Sequence, residues 1–136
     1  RNIRFLPEFV VHICNEEIAE RMNICATDFP AGVSELEKGG FTATPSVKVK
    51  PPRIKEAPVQ MECRLLKIVD FGTRHHVVFG EVVLFHFHDG IVNERYHVDL
   101  ALLNPIGRLS GSSYTRIADQ FRMERRYLGE KPKQLT

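Results

Sequence analysis

The feature that most restricts what this chain can fold into is a pair of long strand-like runs, Val59 to Asp70 and His76 to His88, with Phe71-Gly72-Thr73 as the turn between them. In the first run Val59, Met61, Cys63 and Leu65 alternate with Gln60, Glu62 and Arg64. Strand side chains point alternately to opposite faces, so this pattern predicts a half-buried strand. After Leu65 the apolar phase slips by one residue, to Leu66 and Ile68. A slip inside a strand predicts a β-bulge, which bends a sheet as barrel closure requires. Gly80 is a candidate kink in the second run, and Asp89-Gly90 is a tight-turn signal after it. Ile91-Val92 is expected to begin the return strand, and His97 to Leu102 reads as another extended piece.

The flanking segments are shorter. Glu8 to Ile13 is apolar and β-branched and reads as a strand. Asn15 is placed to cap a short helix carrying Ile18, Ala19, Met22 and Ile24, and Pro30-Ala31-Gly32 breaks it. Ser34-Glu35-Leu36-Glu37 has capping-box spacing, and Gly39-Gly40 closes the helix it starts. Pro45, Pro51, Pro52 and Pro58 exclude a helix or central strand from residues 41 to 58. Within that stretch Val47-Lys48-Val49-Lys50 is expected to form an edge strand with outward lysines. Asn104 to Tyr127 combines a Gly/Ser-rich loop with a short helix expected near Thr115 to Phe121. Strands without βαβ alternation predict an all-β chain with short helices: an antiparallel barrel rather than a doubly wound sheet.

Composition narrows the function classes. The 136 residues suit one domain. Lys+Arg is 19 against Asp+Glu 17, with the basic residues scattered, which gives no nucleic-acid surface. No apolar run approaches the roughly 20 residues that span a bilayer. Cys14, Cys25 and Cys63 are odd in number and lack metal-ligand spacing. They read as buried thiols of a protein in the reducing cytoplasm.

Four groups of residues could carry chemistry. His86 and His88 share a strand face and, with His97, are the material for a metal-binding module, although zinc sites usually take three or four protein ligands. His75-His76 reads as an exposed turn pair. Arg53, stiffened by Pro51-Pro52, could hold an anionic ligand group or pair locally with Glu56 or Asp28. Gly107 to Tyr114 is the most site-like stretch. Its glycines allow close backbone approach, Arg108 suits a phosphate or carboxylate, and Tyr114 can stack on a planar ring.

In order along the chain, these residues resemble the flavin reductase-like family of FMN-binding split-barrel proteins. The resemblance is carried by Asn2-Ile3 with Glu8-Phe9-Val10-Val11, then Asn23, Ala26, Phe29-Pro30 and Gly32-Val33-Ser34-Glu35-Leu36. It continues through Pro45-Ser46, Pro52-Arg53-Ile54, Glu56, Pro58-Val59, Glu62-Cys63 and Phe79-Gly80-Glu81-Val82, and ends at Gly107-Arg108-Leu109-Ser110-Gly111 with Tyr114. Ser110 stands where the family usually has Gly. The resemblance implies a homodimeric antiparallel split β-barrel that binds FMN, uses NADH or NADPH as a transient co-substrate and supplies a partner monooxygenase in many members. It implies Asn2 beside the phosphate-binding segment, Ser46 and Arg53 near the ring or the nicotinamide, and Arg108, Gly111 and Tyr114 along the cleft. No catalytic side chain is assigned, because hydride passes between two cofactors that the protein orients. A non-catalytic FMN-binding dimer of the same fold is the alternative. The family's leading strands would precede Arg1, so residues 1–136 are expected to be the larger, C-terminal part of one such barrel.

Overall fold

The computed structural model describes residues 2–73, 75–117, 119–123, 126 and 128–129. The two long runs form the expected ribbon. Strand β4 (Val59–Phe71) pairs antiparallel with β5 (His75–Phe87), and β1 (Glu8–Ile13) pairs antiparallel with the other edge of β4, giving the order β1-β4-β5. The pairing shifts register between Glu62 and Cys63 and again between Leu65 and Lys67. The second shift coincides with the slip in the apolar pattern, so the bulge written in the sequence is realised. Gly80, opposite Leu65, serves close approach: a Cβ there would lie 2.4 Å from Phe9 Cζ. At the far end Gly72 turns the chain with φ +69°.

Two short hairpins complete the β structure: β2 (Ala43–Thr44) with β3 (Arg53–Ile54), and β6 (Ile106–Arg108) with β7 (Tyr114–Arg116). The helices are brief: α1 (Asn2–Phe5), a 3-10 turn at Glu16–Ile18 running into α2 (Ala19–Cys25), α3 (Glu35–Lys38) and α4 (Leu100–Leu103). The predicted caps form. Asn15 accepts from the Ile18 N–H, and Ser34 accepts from the Glu37 N–H.

Several sequence expectations give way. Residues 47–50 are an irregular loop, because their N–H groups turn inward to side-chain carboxylates instead of a neighbouring strand. Leu100 to Leu103 is helical, because Asp99 Oδ1 accepts from the Ala101 and Leu102 N–H groups and caps a turn there. After the Asp89-Gly90 turn, Val92 makes one bridge to Val98 in place of a return strand. Tyr114–Arg116 is strand, which displaces the helix expected from Thr115; part of that expected helix lies outside the described residues.

The core sits at the base of the ribbon, where Val59, Ile91 and Leu103 pack with Ile13 and Val92. The outer ribbon is different. Leu66, Phe71 and Phe79 are 67%, 59% and 50% exposed. Of the three thiols, Cys63 is buried and Cys14 and Cys25 are half-buried; all are unpaired. Burial pushes each thiol pKa up, so none is an activated nucleophile. Among the described residues no helix is long and apolar enough to cross a membrane.

Candidate functional site

Two cavities flank α2 and share Met22. The larger, about 770 Å³, lies between α2 and the β6–β7 hairpin, and the smaller, about 490 Å³, lies between α2 and β1. Both volumes fall in the range of small-molecule sites.

The larger cleft gathers Arg108, Gly111 and Tyr114. The hairpin explains the grouping, since Arg108 and Tyr114 are register partners and Gly111, at φ +55°, forms the turn. The Arg108 guanidinium lies 5.8 Å from the Tyr114 ring centroid, and its Nη2 donates to the Gly111 carbonyl at 3.0 Å. The opposite wall carries Glu16, whose carboxylate is engaged by Arg116, and Arg21. Arg21 is held elsewhere: its guanidinium stacks 4.3 Å from the Phe41 centroid and donates to the Gly39 carbonyl (3.0 Å), to the Gly40 carbonyl and to Glu56 (3.3 Å). Arg108 offers this cleft a guanidinium for an anionic group and Tyr114 a ring for a planar one, while Glu17 and Glu20 also line it.

The smaller cavity is lined by Asn2, His12, Cys14 and Ile54, among others. His12 Nε2 accepts from the Ile54 N–H at 2.9 Å, which fixes a neutral ring with its proton on Nδ1. Burial, with the nearby Arg53 charge, lowers its pKa to about 4.

Ser46 and Arg53 sit in a third place, Ser46 in the β2–β3 loop and Arg53 at the start of β3. Ser46 Oγ donates to the Pro51 carbonyl at 2.5 Å, closing the loop on itself. Arg53 pairs with neither Glu56 nor Asp28 as its local pairing was expected to run. Its Nε and Nη2 donate to the Pro45 carbonyl, its Nη1 donates to Gln60 Oε1 at 2.8 Å, and its Nε is 3.8 Å from Glu62. Glu56 is occupied by Arg21 and by the Thr42 N–H. Although burial opposes it, the Thr42 N–H and Arg21 help hold the Glu56 carboxyl at about 2.

The residue that sequence reasoning missed is Glu62. It was legible as a polar position in an alternating strand and as part of the Glu62-Cys63 landmark, with no role attached, yet it is fully buried. The Val47, Lys48 and Val49 N–H groups and the His86 ring all reach its carboxylate. Burial alone would raise its pKa; the Val47 and Lys48 N–H groups and His86 overcome that and hold it at about 2. This contact also separates the histidines. His86 Nε2 lies 2.7 Å from Glu62, whereas His88 Nε2 donates to the Lys55 carbonyl. Among the described residues no three His, Cys, Asp or Glu side chains converge as a metal site requires. His76 pairs across the strands with Asp70, which also binds Arg4 on the exposed ribbon.

Comparison with known proteins follows the same line. The profile described as "Flavin reductase like domain" matches residues 1–104. The 2-nitrobenzoate 2-nitroreductase NbaA of Pseudomonas fluorescens superposes with a TM-score of 0.86 at 40% identity, over 96% of this chain and 65% of that one. Nitrilotriacetate monooxygenase component B of Bacillus cereus gives 0.85 at 31% identity, over 90% and 63%. A split-barrel-domain protein from Shewanella frigidimarina gives 0.82 at 19% identity, over 90% and 63%, and shows the same fold. The architecture is thus an antiparallel split β-barrel with short helices. The chain spans 59%, 56%, 62% and 60% of the length of four curated relatives it matches.

Proposed function

The chain belongs to the flavin reductase-like family, and from that premise we propose that it forms most of one FMN-binding domain of an NADH- or NADPH-dependent oxidoreductase. The observation that carries the reading is the larger cleft, where Arg108, Gly111 and Tyr114 converge on a space of about 770 Å³. When bound, the flavin supplies the hydride-accepting ring. The chain's own residues bind and orient. Arg108 offers charge-assisted hydrogen bonds to a phosphate, the Gly111 turn keeps backbone close, and Tyr114 offers a stacking face. Asn2 borders the adjoining cavity, and Ser46 and Arg53 shape the β2–β3 loop instead of projecting free donors. No side chain is assigned as acid or base, since orientation of the two cofactors is the protein's part.

The exposed apolar side chains of the outer ribbon support a homodimer, because that surface gains by being covered. The similarity to a monooxygenase component supports an oxygenase that receives the reduced flavin. A cytoplasmic setting suits three unpaired cysteines.

Titration of the purified full-length protein with FMN, followed through the visible flavin bands, tests the reading. Saturable binding and subsequent oxidation of NADH or NADPH are expected. A protein that neither retains nor binds FMN overturns it. Binding without turnover under either nicotinamide identifies the non-catalytic flavin-binding dimer.

A further inference from the structure

The two cavities beside α2 differ in charge. The larger carries both signs: Arg21, Arg108 and Arg116 line it with Glu16, Glu17 and Glu20. The smaller, about 490 Å³, is walled by Ile18, Met22, Val33, Leu36, Phe41 and Ile54. Among the described residues its one charged neighbour is Glu35, which is exposed. Cys14 and Cys25 also border it, and burial holds both thiols protonated. Asn2 adds an uncharged amide. Arg53 lies near enough to oppose protonation of His12, but it does not line the cavity and is committed to Pro45, Gln60 and Glu62. A phosphate or carboxylate placed here would lose water, meet no cation on the wall and share the space with Glu35. A mainly apolar molecule would bury its surface against apolar walls.

His12 sets the polar side of the recognition. Its Nε2 accepts from the Ile54 N–H at 2.9 Å, so the ring proton is on Nδ1. Among the described residues no side chain or carbonyl accepts from that Nδ1–H, and no buried polar atom lacks a partner, so the donor is open to solvent. The ring lines the cavity, and a molecule there finds a neutral N–H beside apolar walls. With its pKa lowered to about 4, His12 stays uncharged at neutral pH and does not act as a counter-ion. We propose that the cavity between α2 and β1 is a second ligand site, for a small, uncharged, mainly apolar organic molecule whose carbonyl or similar acceptor oxygen takes the His12 Nδ1–H. The site does not require that a flavin occupy the larger cleft.

The probe is acetophenone, a phenyl ring with one carbonyl oxygen, titrated into the isotope-labelled full-length protein and followed by nuclear magnetic resonance. Binding should saturate and should move the His12 Nδ1 and Ile54 amide resonances. Ethylbenzene, of the same shape without the oxygen, should bind about fivefold more weakly, as for loss of one neutral hydrogen bond. Benzoate and benzylammonium should each bind more weakly by about tenfold or more, since each must bury an unpaired charge. Val33 lines the cavity and is itself exposed, so Val33→Trp adds bulk there without displacing the core. That variant should lose acetophenone and keep its FMN affinity. Equal affinity for acetophenone and ethylbenzene, tighter binding of either charged probe, or resonances of His12 and Ile54 that do not move overturn the proposal. So does a folded Val33→Trp that binds acetophenone as before. Full displacement of acetophenone by FMN, with both ligands lost in Val33→Trp, puts the flavin in this cavity and also overturns it. If Val33→Trp does not fold, the wild-type resonances and the order of the four probes decide. A protein that binds the probes in the expected order but never binds FMN keeps this site and loses the flavin reading.

Discussion

Two walls of the molecule, one at the β2–β3 loop and one beside the larger cleft, are built in opposite ways. In the β2–β3 loop and the strands beneath it, polar groups are committed inward: Arg53 to Pro45, Gln60 and Glu62, Ser46 to Pro51, and Glu62 to three amides and His86. In the β6–β7 hairpin, the hydrogen bond formed by Arg108 runs to Gly111 within the same short turn, and the cleft lies beside it. The first wall is a frame whose charges hold the fold. The second is a surface with donors to give. Similar residue types, an arginine among small and hydroxylated neighbours, thus serve opposite ends according to what lies within reach.

If the first wall is held by charge, acid should take it apart, and this is the largest expected effect. His12 has a folded pKa of about 4, below its ordinary 6.5. A group depressed in this way contributes stability above its unfolded pKa and loses it as pH falls through 6.5 toward 4. Glu56 and Glu62, each at about 2 against an ordinary 4.5, add a second loss between those values. Thermal unfolding followed by circular dichroism should therefore show Tm falling on the order of 10 °C between pH 7 and 4, and more steeply below. His12→Gln retains an acceptor for the Ile54 N–H and should flatten the upper part of that curve. A Tm that is level from pH 7 to 4 would mean the buried imidazole does not sense the proton.

The frame was also the part least legible in the sequence. Period-two patterning made β1, β4 and β5 readable, and the slip after Leu65 located a bulge, because a strand's faces are encoded residue by residue. Caps at Asn15 and Ser34 were readable because their partners lie within three residues. Val47-Lys48-Val49-Lys50 alternates as a strand does, but the partner of its first three amides is a carboxylate 13 to 15 residues away and that of the fourth is Glu8, 42 residues away, which no local pattern reveals. Arg53 was misassigned for the same reason: Glu56 lay nearer in sequence, and Arg21 reached it from α2. Arg108 and Tyr114, by contrast, lie six positions apart and were read together as one site-like stretch, although the hairpin that pairs them was not, since a helix was expected from Thr115.

Where strand meets strand, the comparison sharpens at Gly80. A methyl group there would come 2.4 Å from Phe9 Cζ and 3.3 Å from the Arg64 carbonyl. The Phe9 ring can swing aside, but the carbonyl cannot. Gly80→Ala should cost about 1–2 kcal/mol in urea unfolding, as overpacking does. Pairing it with Phe9→Leu should return part of that loss, since two residues in contact do not act additively. Equal losses from the single and double variants would place the strain elsewhere than at the ring.

The smallest effect on stability, and the most informative about the cleft, is expected at the second wall. Arg108 and Tyr114 hold little of the fold together, so Arg108→Ala and Tyr114→Ala should each move unfolding free energy by under about 0.5 kcal/mol. Their effect should appear in ligand binding. Loss of a guanidinium facing a phosphate, or of a ring face, should weaken FMN by about tenfold when read from the flavin absorbance. The two substitutions also differ in kind. Removing Arg108 should make binding less sensitive to salt, because a charge contact is gone; removing Tyr114 should leave the salt dependence as it was. If both variants bind FMN as the wild type does, the cleft beside α2 holds some other ligand, and the flavin reading must move to the cavity on the other side of Met22.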